Sequence, residues 1–74
     1  EKLVGLKMNV PENLLEDLIS LLPSLNAPTV APLYQSDWFS VETVIDSGAI
    51  RDLIPKLQKN GAEGIIEYPL NKVV

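Results

Sequence analysis

Two prolines, Pro28 and Pro32, lie four residues apart in a segment that otherwise has the pattern of a short strand, from about Pro28 to Tyr34. Proline lacks the backbone N–H that a strand donates to its neighbour, so sheets accept it mainly on edge strands or at bulges. Alternate N–H groups of a strand point to the same side, and on the side of the prolines only Val30 keeps its donor. The donors toward the other side are complete: Thr29, Ala31 and Leu33. The segment is therefore predicted to be an edge strand that pairs on one side only. A loop without pairing is the alternative.

Length and composition exclude several classes of function. The 74 residues allow a single domain, predicted to span residues 1–74. Cysteine and histidine are absent, which excludes disulfides, thiolate metal sites and the commonest general base. The net charge of −4 argues against nucleic-acid binding, and no apolar run approaches the roughly 20 residues of a membrane span. Glu1 is not a natural start residue, so we expect a piece of a longer chain.

Hydrophobic alternation with a period of two predicts further strands. It runs through Glu1–Val10 and again through Trp38–Ile45, and the second run is rich in β-branched and aromatic residues. A short apolar run predicts a last strand over Gly64–Tyr68, which Pro69 ends or places at an edge. The polar turn at residues 35–37 is short, so the second and third strands are predicted to form an antiparallel hairpin.

Leucines at helical spacing predict a first helix after the first strand. Pro11 suits the first helical position because its missing N–H costs nothing there. Pro23 is expected to end this helix by about Leu22. The helix therefore connects the first two strands.

A second helix is predicted between the third and fourth strands. Asp46 or Ser47 suits its N-cap, and apolar residues recur at helical spacing over residues 50–57. Pro55 lies inside this pattern and is expected to bend the helix or confine it to one turn on each side. Gly61 is typical of a helix C-terminus.

The order strand, helix, strand, strand, helix, strand predicts an α+β, ferredoxin-like βαββαβ fold. Two right-handed crossovers would place both helices on one face of a four-stranded antiparallel sheet. In the usual strand order of this fold the second strand lies at an edge, which agrees with its two prolines. The other face of the sheet would be open.

The two faces of the predicted sheet differ in chemistry. The apolar sets are assigned to the helix side: Val4, Leu6, Met8, Phe39, Val41 and Ile45. Small and polar residues are assigned to the open side: Gly5, Lys7, Asn9, Thr29, Ala31, Ser40, Glu42, Val44 and Gly64, with Trp38, Ile66 and Tyr68 at its margins. Such a surface suits a partner subunit or a small polar ligand. The alternative is a solvent-exposed sheet face that has no binding function. Some carboxylates are interpreted as solvated charges rather than acid–base groups: Glu12, Glu16, Asp17 and Glu63. No catalytic or metal-binding residue is predicted.

Six segments spread over nearly the whole chain carry a family resemblance: Lys7–Pro11, Leu21–Pro23, Ala27–Leu33, Asp37–Trp38, Leu53–Leu57 and Gly61–Val74. In this order and spacing they resemble the C-terminal regulatory domain of long-form ATP phosphoribosyltransferase, the first enzyme of histidine biosynthesis. The chain departs from the family pattern at Ser24, where a glycine often follows Leu-Pro. It also departs at Glu67-Tyr68, where more apolar residues are usual.

The resemblance implies a ligand and a site. In this family the domain binds free L-histidine as a feedback inhibitor, between neighbouring regulatory domains of a hexamer. The ligand contacts carry over by position to five residues: Asn9, Leu25, Thr29, Val44 and Gly64. Asn9 would bind polar groups of the ligand, Thr29 would offer its hydroxyl, and Gly64 would allow close backbone approach. Leu25 and Val44 would line the pocket around the imidazole ring. For Thr29 and Gly64, a strand hydroxyl and a bulge glycine are the structural alternatives.

The resemblance also implies a catalytic domain upstream of these 74 residues. It would transfer the phosphoribosyl group of PRPP to ATP with magnesium, so the full-length protein is expected to be a cytoplasmic glycosyltransferase. The piece itself would have no catalytic residue, no cofactor, and neither a nucleic-acid nor a membrane partner. A free-standing oligomerisation or amino-acid-sensing module without catalytic activity is the alternative.

Overall fold

The computed structural model of the protein describes residues 2–23 and 27–71. Its strands and α-helices follow the order β1 Leu3–Pro11, α1 Leu15–Ile19, β2 Thr29–Pro32, β3 Trp38–Asp46, α2 Ile50–Lys59 and β4 Glu63–Pro69. A single 3-10 turn leads into each helix, at Glu12–Leu14 and at Ser47–Ala49. The predicted βαββαβ order is thus confirmed.

The four strands form one sheet in the order β2-β3-β1-β4, and all neighbours are antiparallel. This is the strand order of a ferredoxin-like fold, with β2 and β4 at the edges. The central pair β1–β3 is regular over its whole length, from Leu3 opposite Asp46 to Pro11 opposite Trp38. The pairing of β1 with β4 contains an irregularity between Lys7 and Asn9.

The strand with the prolines is an edge strand, as predicted, although it is shorter than the predicted Pro28–Tyr34. Beyond it, the Leu33 N–H donates to the Trp38 carbonyl at 2.9 Å. Hydrogen-bonded positions alternate along an antiparallel pair, so Ala31 and Thr29 also point their N–H groups at β3. Val30 and Pro32 point theirs outward, where β2 has no neighbour.

The first helix is shorter than predicted. Pro11 has extended backbone angles, φ −68° and ψ 149°, and belongs to β1, so its placement at the first helical position was wrong. At the other end, Leu21 and Leu22 donate to carbonyls three residues back, at 3.0 and 3.1 Å. This tighter turn ends α1 at Ile19, before Pro23 is reached.

The second helix begins and ends as predicted. Asp46 caps its first turn by accepting a hydrogen bond from the Gly48 N–H at 2.8 Å. The ten-residue α2 continues through Pro55, so the proline does not confine the helix to one turn on each side. Past its end, Gly61 takes a φ of +99°, and the Ala62 N–H returns to the Leu57 carbonyl at 3.0 Å.

The hydrophobic core lies between the two helices and one face of the sheet. It is formed by Val4, Leu6, Met8, Val10, Leu18, Leu22, Val41, Ile45, Leu53, Leu57 and Ala62. The helix-side prediction is confirmed, with Phe39 half-buried rather than buried. Neither described helix has the length and apolarity needed to cross a bilayer.

Candidate functional site: the open face of the sheet

The sheet face opposite the helices, called here the open face, consists of three rows of residues paired across the strands. In strand order, the first row is Ala31, Ser40, Asn9 and Glu63; the second is Thr29, Glu42, Lys7 and Ile66; the third is Val44, Gly5 and Tyr68. Most of these residues are exposed or half-buried. The predicted division of the residues between the two faces agrees with this register.

The four described residues that were predicted to contact a ligand lie on the open face and are spread over all four strands. Thr29 is on the edge strand β2, Val44 on β3, Asn9 on β1 and Gly64 on the opposite edge β4. Neighbouring strands lie about 4.8 Å apart, so the three spacings between β2 and β4 amount to about 14 Å. One amino-acid ligand cannot span that distance on one copy. Leu25 lies outside the described residues.

Asn9 and Gly64 form one half of the predicted site. The pairing of β1 with β4 shifts register between Lys7 and Asn9, which places an extra residue on β4. Gly64 sits in this bulge with a φ of +59°, and a Cβ atom built on it would lie 3.6 Å from the Asn9 side-chain nitrogen. The structural alternative for Gly64, a bulge glycine, therefore accounts for its residue type.

Thr29 and Val44 belong to the other half, on β2 and β3. Thr29 is exposed and lies directly opposite Glu42. Val44 follows two residues along the same side of β3 and is 37% exposed. These side chains form a shallow surface that has a carboxylate beside a hydroxyl and an apolar group.

Tyr68 links β4 to β3 across the open face, a contact that the sequence prediction missed. Its ring lies over Gly5 on β1, and its hydroxyl donates a hydrogen bond to the Glu42 carboxylate. This bond raises the pKa of the Tyr68 phenol above its ordinary value of 10.0, with smaller contributions from burial and from the Glu42 charge. The available signal was Gly5, because a glycine inside a strand often marks a close approach by another group.

Two grooves of about 320 Å³ lie elsewhere on the described chain. One runs beside α2 and is lined by Leu21, Pro23, Ala49, Asp52, Leu53 and Lys56. The other lies where β1 ends and is lined by Pro11, Glu12, Asn13, Asp37 and Trp38. Neither groove includes a predicted ligand residue. Within residues 2–23 and 27–71, no three acidic side chains cluster as metal ligands.

Comparison with known proteins places the chain in a family. A family model described as "HisG, C-terminal domain" matches residues 1–72. The ATP phosphoribosyltransferase of Desulfosudis oleivorans is 74% identical over 74 residues, all of this chain and 25% of that protein. Those of Solidesulfovibrio magneticus and Desulfatibacillum aliphaticivorans are 66% and 65% identical, with the same coverage. The chain thus spans about a quarter of the length of the curated relatives it matches. It belongs to the HisG C-terminal domain family.

Proposed function

We propose that this chain is the regulatory domain of an ATP phosphoribosyltransferase and that it binds L-histidine between neighbouring copies. The supporting observation is the distribution of the predicted ligand residues over the open face. Thr29 and Gly64 lie on opposite edges of the sheet. A ligand the size of one amino acid would contact both Thr29 and Gly64 only if the two residues came from two different copies of the chain.

Two half-sites follow from this arrangement. One copy would present Thr29 and Val44, and its neighbour would present Asn9 and Gly64. The open face also exposes apolar side chains, with Ile66 54% and Val44 37% exposed. Assembly through this face would remove that apolar surface from water, which favours association. A hexamer is the assembly that the family resemblance implies.

The catalytic activity would lie outside these 74 residues. The relatives are about four times as long as this chain, and they are named ATP phosphoribosyltransferases. Transfer of the phosphoribosyl group from PRPP to ATP, the first step of histidine biosynthesis, would belong to a domain upstream, and the whole protein would work in the cytoplasm. Magnesium would be bound there, as the family resemblance implies.

Feedback inhibition would work through a difference in affinity. If histidine binds one arrangement of the copies more tightly than another, it shifts the population toward that arrangement. The same coupling makes the substrates and histidine affect each other's binding reciprocally. The regulatory domain then needs no catalytic group of its own.

Isothermal titration of the intact protein with L-histidine tests the proposal, with the oligomeric state followed by light scattering. Saturable binding that also lowers the transferase activity is expected. If millimolar L-histidine gives no saturable heat while the oligomer is intact, the proposal is wrong.

A pure oligomerisation module is the second candidate, favoured by the exposed apolar side chains of the open face. Thr29→Trp separates the two functions, and Thr29→Ser, which keeps the hydroxyl, is the matched control. Lost inhibition with assembly retained supports a histidine site. Lost assembly, with no histidine binding in the control, supports a module that only joins subunits. A sensor of another amino acid on the same fold is the third candidate, and an unrelated domain upstream of these 74 residues would favour it.

A further inference from the structure

We propose that Glu42 binds the ammonium group of the amino-acid ligand and that Tyr68 positions the carboxylate of Glu42 for this contact. This inference rests on the proposed function and adds a residue that determines which ligand is bound. Neither residue belongs to the set predicted from the family resemblance. The contact between them carries the inference.

The predicted ligand residues lack a group that neutralises the ligand's ammonium. All five are uncharged: Asn9, Leu25, Thr29, Val44 and Gly64. A free amino acid carries both an ammonium and a carboxylate at neutral pH, and taking a charge out of water without a partner is costly. A site enclosed between two copies therefore needs an acidic side chain on the open face.

Glu42 occupies the middle of the open face. It lies directly opposite Thr29 on one side and Lys7 on the other, and two residues from Val44 along β3. Directly opposite side chains have Cβ atoms about 5 Å apart, so one ligand can contact Thr29 and Glu42 together. Glu63, the acid paired with Asn9, is exposed on the edge strand β4, whereas Glu42 is half-buried on the central part of the sheet.

Tyr68 fixes the direction of the Glu42 carboxylate. The phenol donates to one carboxylate oxygen, Oε2. An ionised carboxylate has two oxygens with about four acceptor positions, so one hydrogen bond leaves room for an ammonium. The Tyr68 ring is in contact with the Gly5 backbone, so it cannot move closer to β1.

The raised pKa of Tyr68 agrees with this role. The phenol remains protonated throughout the neutral range and is a permanent donor to Glu42. Because the donor is uncharged, it holds the carboxylate in place without neutralising it. Lys7, directly opposite Glu42, is exposed, and a ligand ammonium would take its place beside the carboxylate.

The test compares two ligands on three forms of the intact protein. L-histidine and 3-(imidazol-4-yl)propionate, which lacks only the ammonium, are titrated calorimetrically into the wild type, Glu42→Gln and Tyr68→Phe. Wild type is expected to prefer histidine. Glu42→Gln keeps an acceptor for Tyr68 but loses the charge, so its histidine affinity should fall about tenfold or more while affinity for the propionate is unchanged. Tyr68→Phe keeps the ring over Gly5 and should show a smaller loss, again confined to histidine. Glu67→Gln is the matched control, because Glu67 is exposed on the same strand but pairs with the core residue Leu6, and it should bind both ligands as wild type does. Glu63→Gln, opposite Asn9, should keep the preference for histidine, and loss of that preference would move ammonium binding from Glu42 to Glu63.

Each other outcome overturns the inference in a recognisable way. Equal wild-type affinity for the two ligands means that the ammonium is not recognised. A Glu42→Gln protein that matches wild type, or that weakens both ligands equally, removes Glu42 from ammonium binding and leaves the proposed function intact. Absence of any histidine binding by the assembled wild type overturns both. If Glu42→Gln does not assemble, Tyr68→Phe decides, and unchanged selectivity there rejects the positioning role.

Discussion

The ring of Tyr68 lies directly over Gly5, in the space that a Cβ atom at position 5 would occupy. The two residues are opposite each other in the pairing of β1 with β4. The ring covers the glycine backbone, so Gly5 is buried although it lies on the open face. The absence of a side chain at position 5 is therefore what allows Tyr68 to reach β3.

Gly5→Ala is expected to destabilise the domain by displacing Tyr68. The added methyl group meets ring atoms, and overpacking of this kind costs about 1–3 kcal/mol. Urea unfolding of the 74-residue chain, followed through the fluorescence of its one tryptophan, Trp38, measures the change. In a Tyr68→Ala background the same substitution should cost much less, because residues in contact are not additive. Equal costs in the two backgrounds would show that the ring is not the cause.

Tyr68 also predicts a pH dependence on the alkaline side. Its pKa is higher in the folded chain than the ordinary 10.0, chiefly because the phenol donates to Glu42. A raised pKa means that the folded state holds the proton more tightly, so this contribution to stability is complete below pH 10. It is lost as the pH rises from 10 through the folded-state pKa. Melting temperatures between pH 8 and pH 11 should therefore fall more steeply for wild type than for Tyr68→Phe. Parallel curves would contradict the assignment.

Because β2 pairs on one side only, proline substitutions at two adjacent residues of β2 should lower the stability by different amounts. Val30 points its N–H outward, whereas the alternation set by the Leu33–Trp38 hydrogen bond turns the Ala31 N–H toward β3. Val30→Pro removes a donor that has no strand partner and should change the unfolding free energy by less than about 1 kcal/mol. Ala31→Pro removes a ladder hydrogen bond and brings the proline ring against the β3 backbone, so it should cost more than about 1 kcal/mol. If the two variants unfold at similar urea concentrations, the register of β2 on β3 is wrong.

The strands were predictable because their signals are local. Alternation assigned the faces of β1 and β3, and the two missing N–H groups of Pro28 and Pro32 placed β2 at an edge. The end of α1 was less predictable, since a tight turn closed by Leu21 and Leu22 stops the helix before the proline does. Local patterns give the type of an element more reliably than its last residue.

The contact between Tyr68 and Glu42 was not predictable from local patterns. The two residues are 26 positions apart in sequence and sit on strands that are not neighbours. Their meeting depends on the register of both β1 pairings and on the bulge at Gly64. A shift of either strand by one residue would turn one of the side chains to the other face. Gly5 marks the position in the sequence but does not identify its partner.

Two substitutions of Gly64 distinguish a structural role of this glycine from a role in ligand binding. Its φ of +59° is unfavourable for a residue with a side chain, so Gly64→Ala should cost about 1 kcal/mol of unfolding free energy. Asparagine tolerates this backbone conformation better, and Gly64→Asn should cost less. A Cβ atom there meets Asn9 at an ordinary 3.6 Å, so no clash adds to the strain. If Gly64 also contacts histidine, the bulkier Asn variant should lose more histidine affinity than the Ala variant while being the more stable of the two. If the less stable variant is also the one that binds histidine more weakly, Gly64 serves only the backbone conformation of the bulge.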